Sequence, residues 1–65
     1  MTTDEIKERV AAIGKIAWDD EVAHGQEDQL YADVLRYLAA GLGEAAELAR
    51  EALKTEEISF ARWCA

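Results

Sequence analysis

The chain has 65 residues, of which 51% are hydrophobic, 32% are charged and none is proline, and its formal net charge is -7. This length allows one domain, residues 1–65, with a single small core, and it argues against a deep, enclosed active-site cavity. The composition argues against a disordered tail, and the excess of negative charge would repel phosphates, so direct binding to nucleic acid is not expected.

The negative charge is concentrated in one segment. Residues 1–18 hold three acids and three bases, and residues 34–65 hold five acids and four bases, which leaves six of the seven excess charges in residues 19–33. A basic protein surface or a divalent cation would be attracted to such a segment. The six acids are Asp19, Asp20, Glu21, Glu27, Asp28 and Asp33.

Three features predict a cytoplasmic protein with no contact to a membrane. Cys64 is the only cysteine, so no internal disulfide is possible, which is typical of a reducing compartment. No apolar run approaches the roughly 18 residues that span a bilayer. The residues after Met1 lack the positive charge of a signal peptide.

The first predicted helix has a narrow apolar stripe. Ile6, Val10, Ile13 and Ala17 follow the i, i+4, i+7, i+11 spacing of one helix face. Thr2 or Thr3 can cap this helix, and Thr2 has capping-box spacing to the glutamate three residues later.

The second predicted helix runs from about residue 20 to Ala40, with Asp19 or Asp20 as its N-cap. Gly25 is its weak point, because a glycine inside a helix costs about 0.5 to 1 kcal/mol relative to alanine. Both a continuous helix and one that starts after Gly25 stay open. The predicted buried face consists of Ala23, Leu30, Tyr31, Val34, Leu35 and Leu38.

Gly41-Leu42-Gly43 predicts a helix end and a tight turn before Glu44 opens a third helix, which ends near Thr55. The tail EISFARWCA loses the helical period, and its apolar residues predict docking between the helices. Short connections favour antiparallel neighbours. We therefore expect an all-α fold, a three-helix bundle with antiparallel neighbours and a docked C-terminal tail. The large side chains expected to stabilise it are Trp18, Leu30, Tyr31, Leu35, Leu38, Leu53, Phe60 and Trp63.

The stretch AHGQEDQLY raises a chemical question, because a helical projection puts Glu27 on the apolar face and turns Asp28 toward water. A carboxylate on an apolar face must be protonated, paired or bound to an ion. The favoured interpretation is a structural polar contact, in which Glu27 pairs with Arg62, Lys15, Lys54 or His24.

Two other interpretations of this stretch stay open. One is a metal site on His24 with Glu27 or Asp28, which needs further ligands such as Glu57 or Cys64. The other is an acidic surface that faces the arginines of a partner. We assign no metal, no cofactor and no catalytic residue.

The string LGEAAELAREAL resembles the first metal helix of the MazG-like nucleotide pyrophosphohydrolases, in which two glutamates at i, i+3 bind magnesium. Glu44 and Glu47 would take that role here. That family also needs E-x-x-D on the next helix, and after Glu47 no glutamate of this chain is followed by such an aspartate. Without this second pair of acids, half of the MazG-like metal site is missing.

From Asp19 onward the chain resembles a group of small uncharacterised proteins of actinobacteriophages and their hosts. The shared pattern is Asp19-Asp20-Glu21 with Ala23-His24, then Glu27-Asp28 and Leu30-Tyr31, and finally ALKTEEISFARWCA from Ala52 to Ala65. The resemblance implies a cytoplasmic protein made during infection or from an integrated phage, and it implies no activity.

The sequence thus predicts a small acidic module that is not an enzyme and that binds or occludes a host or phage protein. The predicted partner-binding residues are Asp19, Asp20, Glu21, Asp28, Arg62 and Trp63, and His24 and Glu27 are predicted to be structural. The alternatives are a metal-dependent hydrolase remnant, MazG-like or other, and a structural homodimer, which would enlarge the core of such a small chain.

Overall fold

The computed structural model describes residues 1–62, which form three α-helices. They are α1 (Thr3–Lys15), α2 (Asp20–Ala39) and α3 (Ala45–Ala52), and a short 3₁₀ helix (Leu53–Glu57) follows α3. Every pair of α-helices is in contact. The structure confirms the predicted all-α three-helix bundle.

Contacts between side chains give the directions of the helices. Arg9 of α1 pairs with Asp33 of α2, whereas Ile13 lies beside Gln26 and Gln29, so α1 and α2 are antiparallel. On the other side of α2, Tyr37 lies beside Gly43, just before α3, and Tyr31 lies beside Thr55, which follows α3. The antiparallel packing of sequential helices is therefore as predicted.

The ends of α1 and α2 follow from their capping residues. Thr2 and Glu5 form the predicted capping box, and the Asp19 carboxylate accepts a hydrogen bond from the Val22 amide at the start of α2. The α2 helix runs through Gly25 without interruption. Because α1 ends at Lys15, Ala17 lies in the joint to α2 rather than on the predicted stripe.

The turn between α2 and α3 depends on two glycines with positive φ, Gly41 (+78°) and Gly43 (+74°). Glu44 is the N-cap of α3 but makes no side-chain capping bond. The α-helix ends at Ala52, three residues before the predicted end, because the chain tightens there into the 3₁₀ helix.

The core lies where the three helices meet, and its largest fully buried apolar side chains are Ile6, Ile13 and Leu30. Glu27 and Thr55 are the buried polar residues among residues 1–62. Half-buried apolar side chains surround this core, namely Met1, Val10, Ile16, Tyr31, Tyr37, Leu38, Ile58 and Phe60.

Three side chains predicted to stabilise the core are exposed, and for them the prediction was wrong. Trp18 is 80% exposed because it lies in the turn between α1 and α2, where helical periodicity does not orient a side chain. Leu35 is 66% exposed because it lies at the edge of the buried face of α2, and Leu53 is 51% exposed because α3 has ended before it.

The C-terminal segment docks on the helices, as predicted. Ile58 and Phe60 pack against the core, Ile58 lies close to Gly14 of α1, and the Ala61 amide donates a hydrogen bond to Asp20 of α2. Trp63 and Cys64, to which predictions were also attached, lie outside the described residues.

Candidate functional site

The Glu27 side chain is paired with Arg62, one of the cations named for it from the sequence. Glu27 faces the core side of α2 between Ala23 and Leu30 and is only 4% exposed. Arg62 Nε lies 2.8 Å from Glu27 Oε1, and Arg62 Nη2 lies 2.9 Å from Glu27 Oε2. Both carboxylate oxygens therefore accept from one guanidinium, which is a strong and directional arrangement.

The same guanidinium binds the backbone of the C-terminal segment. It donates to the carbonyl oxygens of Thr55 (2.7 Å), Ile58 (3.1 Å) and Phe60 (3.3 Å), and its Cζ lies 3.8 Å from the centre of the Phe60 ring. The sequence predicts Arg62 on the partner-binding surface, but in the structure its guanidinium donates to groups of the same chain. We call this arrangement of Glu27 and Arg62 the tail clamp.

The electrostatics of the tail clamp favour the ionised pair. Burial raises the pKa of the Glu27 carboxyl, but hydrogen bonds from Arg62 and Thr55 and the charge of Arg62 outweigh burial, so the pKa lies below its ordinary value. The hydrogen bond to Glu27 is the main reason why the pKa of Arg62 is raised. The clamp thus holds the C-terminal segment through charge.

Thr55 and Tyr31 extend the polar contact beyond the tail clamp. Thr55 is fully buried, and its hydroxyl forms a hydrogen bond with the Tyr31 hydroxyl. Burial and the charges of Glu27 and Glu56 raise the pKa of Tyr31, so its phenol stays protonated. Thr55 lies three residues after Ala52 and seven after Leu48, the buried residues of α3, so its helical spacing was the signal in the sequence that could have identified it as buried.

The acidic end of the molecule, defined by Asp19, Asp20, Glu21 and Asp28, lies around the first turns of α2. Asp19 accepts from the Val22 amide, and Asp20 accepts from the Ala61 amide. Glu21 and Asp28 are exposed and lie seven residues apart, and therefore on one side of the helix. Each of the four residues presents negative charge at the surface.

Two apolar side chains are exposed to solvent at the acidic end. Trp18, which directly precedes Asp19, is 80% exposed, and Val22 is 41% exposed. Tryptophan is enriched at the centre of protein interfaces, and polar residues form their rim. The hydrophobicity of Trp18 predicts burial, and its position directly before the N-cap Asp19 is the signal in the sequence that indicates a turn instead.

The residues proposed as metal ligands do not form a metal site among residues 1–62, where no group of three His, Cys, Asp or Glu side chains is arranged to hold an ion. His24 Nε2 lies 3.5 Å from Asp28 Oδ1, but Glu27 is occupied by Arg62. Glu47 accepts a hydrogen bond from Thr3 of α1. Cys64 lies outside the described residues.

A second surface feature is an apolar groove of about 270 Å³ between α2 and α3. Leu35 and Leu53, which are both more than half exposed, stand at its sides. The groove lies near the end of α2 that is remote from Trp18. It is lined by Tyr31, Val34, Leu35, Leu38, Ala49, Ala52 and Leu53.

No family model, curated protein or solved structure matches this chain. Within residues 1–62, no helix is both long enough and apolar enough to cross a bilayer.

Proposed function

We propose that this chain is a small acidic module, without enzymatic activity, that binds a basic surface of a host or phage protein through its acidic end. The observation that carries the proposal is the exposure of Trp18, 80% of whose surface faces water beside Asp19, Asp20 and Glu21. The proposal includes a cytoplasmic location in an actinobacterial host, which rests on the resemblance of residues 19–31 and 52–65.

The energetics of Trp18 favour a contact with a partner. A tryptophan presents roughly 150–250 Å² of surface, so burial of this largely exposed side chain would contribute about 4 kcal/mol before the costs of association. In the free chain the exposed side chain of Trp18 contributes no comparable free energy to folding. The neighbouring carboxylates would steer a basic partner and set its orientation.

The experiment that tests the proposal is capture from an actinobacterial lysate by the immobilised full-length chain, followed by measured affinity for each retained protein. Trp18→Ala should weaken binding by at least about tenfold, as is typical of a central aromatic residue. The double variant Glu21→Lys, Asp28→Lys should also weaken binding, and the loss of affinity should be larger at low salt than at high salt.

A matched control is the double variant Glu8→Lys, Glu44→Lys, which changes the net charge equally at exposed positions outside the acidic end. It should bind as the unmodified chain does. Equal losses in the two double variants would show an effect of net charge alone, and unchanged binding in Trp18→Ala would refute the proposed contact.

One subtype of the proposal is mimicry of DNA charge toward a nucleic-acid-binding protein. In that case DNA would compete with the chain for the partner, and the competition would weaken as salt rises. A partner that binds no DNA would exclude the subtype but not the protein contact itself.

A further inference from the structure

Gly25 lies on the outer face of α2, where the fold does not require a glycine. At about 100° per residue, it lies on the side of the helix opposite the buried residues of α2. The glycines with positive φ are Gly41 and Gly43, and a Cβ at Gly25 would meet no atom within 4 Å. Alanine would fit there and is the better helix former, so the reason for the glycine does not lie within the chain.

The open space over Gly25 has an apolar side and an acidic side. Val22 is exposed and lies on one side of Gly25 in helical projection. Glu21 and Asp28 are exposed and lie on the other side, within about 20° of each other. His24 lies 3.5 Å from Asp28, but the Asp28 side chain remains 67% exposed. We call Glu21, Val22, Gly25 and Asp28 the Gly25 face.

The absence of a side chain at Gly25 lets a partner come close to the backbone of α2. Glycine is the residue that allows such close approach, and the distance between two packed helices, about 8–10 Å, depends on the side chains at their contact. A side chain placed over Gly25 would contact both the backbone and Val22. Cations beside it would reach the two carboxylates at the edge of the Gly25 face.

The spacing of the two carboxylates favours a helical partner over an extended one. Glu21 and Asp28 are seven residues apart, which is about 10.5 Å along α2. Two basic residues seven positions apart on a second helix match this distance and share one face with the residue midway between them. Residues on one face of a β-strand recur at about 7 and 13 Å, so a strand matches the carboxylates less well.

We propose that the element bound by the acidic end is a basic amphipathic helix that lies along α2 and places an apolar side chain over Gly25. This inference rests on the proposed function and names the kind of surface that the partner presents. Its basic residues pair with Glu21 and Asp28, and its apolar residue contacts Val22. Residues 19–33 hold six of the seven excess negative charges of the chain, which gives the charge complementarity that a basic helix requires.

The test is a heteronuclear NMR titration of the full chain with a synthetic helical peptide. The probe is a capped peptide of about 21 residues, rich in alanine and glutamine and long enough to form an isolated helix. It carries lysine at every seventh position and leucine three residues after each lysine, so that both line one side of the helix. The amide signals of the Gly25 face should shift more than those of α1 and α3.

A control peptide of the same composition separates helical recognition from attraction of charge. It carries each leucine two residues after a lysine, on the opposite side of the helix. The leucines and lysines then cannot reach the Gly25 face together. The control peptide should bind at least about fivefold more weakly than the probe.

Gly25→Gln should weaken binding of the probe at least about fivefold, because glutamine fills the space over the backbone without a change of charge. The same substitution should not lower stability in urea, since glutamine is a better helix former than glycine and the space is open. Ala11→Gln is the matched control, because it introduces the same side chain at an exposed position of α1. It should bind the probe as the unmodified chain does.

Two outcomes would overturn the proposal. Equal affinities of the probe and the control peptide would show that charge alone attracts the peptide. Unchanged affinity in Gly25→Gln would show that no side chain lies over Gly25.

A partner captured by the acidic end tests this inference separately from the proposed function. If Trp18→Ala weakened binding of that partner and Gly25→Gln did not, the proposed function would stand and the helical contact at Gly25 would be refuted. If Gly25→Gln weakened binding and Trp18→Ala did not, the helical contact would stand and the proposed contact at Trp18 would be refuted.

Discussion

At the scale of single residues, Arg62 makes more side-chain hydrogen bonds than any other residue among residues 1–62. It binds both oxygens of a buried carboxylate and three backbone carbonyl groups. The carboxylate side of the pair is 5% exposed and the guanidinium side is 33% exposed. Removal of Arg62 therefore costs more than removal of Glu27. Water can solvate the half-exposed guanidinium when Glu27 is lost, but it cannot reach the buried carboxylate when Arg62 is lost.

We predict that Arg62→Ala lowers the free energy of unfolding by about 3 kcal/mol, since it leaves an unpaired buried carboxylate. Urea denaturation followed by circular dichroism would measure this. The control is Arg36→Ala, whose guanidinium is 71% exposed and should matter little. Equal effects of the two substitutions would show that the tail clamp contributes no more than a surface ion pair.

The tail clamp also predicts a pH dependence. Because the pKa of Glu27 is lowered in the folded chain, the unfolded chain binds more protons at acidic pH. The stabilisation is complete above about pH 4.5, the ordinary pKa of glutamate, and is lost as pH falls through the folded value.

Glu27→Gln removes this contribution, so its free energy of unfolding should fall less steeply below about pH 4.5 than that of the unmodified chain. Urea denaturation at a series of pH values would compare the two slopes. Asp33 and Glu51, whose pKa values are also lowered by hydrogen-bonded cations, are present in both chains and provide the shared background. Parallel curves for the two chains would contradict the assignment.

The burial of Glu27 could be predicted from the sequence, because it depends on helical periodicity alone. Its partner could not be chosen among Arg62, Lys15, Lys54 and His24, since that choice depends on where the C-terminal segment docks, 35 residues away. Trp18 was misplaced for a related reason. Its hydrophobicity favours burial, but the direction of a side chain in a joint is set by turn geometry rather than by residue type.

At the scale of elements, α2 contributes residues to the tail clamp, the acidic end and the groove. Asp19 fixes its start through the Val22 amide, and Gly25 is its one glycine. The limits of α1 and α2 could be predicted closely, because capping residues and periodicity agree. The end of α3 could not, since Leu48, Ala52 and Thr55 keep the spacing of an α-helix across the change to a 3₁₀ helix.

We predict that Gly25→Ala stabilises the chain by about 0.5 to 1 kcal/mol, because alanine is the better helix former and a Cβ at this position would meet no atom within 4 Å. Thermal or urea denaturation would measure the gain. A loss of stability would indicate that α2 is distorted at Gly25.

Gly43→Ala is the contrasting substitution and should destabilise the chain by at least about 1 kcal/mol. Gly43 has a φ of +74°, and a Cβ there would lie 2.6 Å from Leu48 Cδ1 and 2.9 Å from Tyr37 Cε2. The same denaturation experiment applies. A neutral result would show that the turn before α3 adapts without cost.

Asp19 contributes to α2 as well as to the acidic end, and two substitutions separate these contributions. We predict that Asp19→Ala costs about 1 kcal/mol of stability through loss of the N-cap, whereas Asp19→Asn, which retains a capping oxygen, costs little. If both substitutions weakened partner binding equally at constant helix content, the effect would come from the charge. If only Asp19→Ala did so, the effect would come from the cap.

At the scale of the whole molecule, the acidic end and the apolar groove lie toward opposite ends of α2. The acidic end includes the exposed Trp18, whereas the residues that line the groove carry no charge. The sequence indicated the charge segregation but not the groove, because Leu35 and Leu53 both match the pattern of core residues. Only the antiparallel packing of α2 on a short α3 leaves them uncovered.

The exposure of Trp18 also gives the molecule an intrinsic optical reporter. An indole ring in water emits at longer wavelength and is quenched more readily by small solutes than a buried ring, so coverage of Trp18 by a partner would shift its emission to the blue and protect it from quenching. Replacement of Trp63 by phenylalanine would isolate this signal. The first events of partner docking could then be followed in real time without an attached dye.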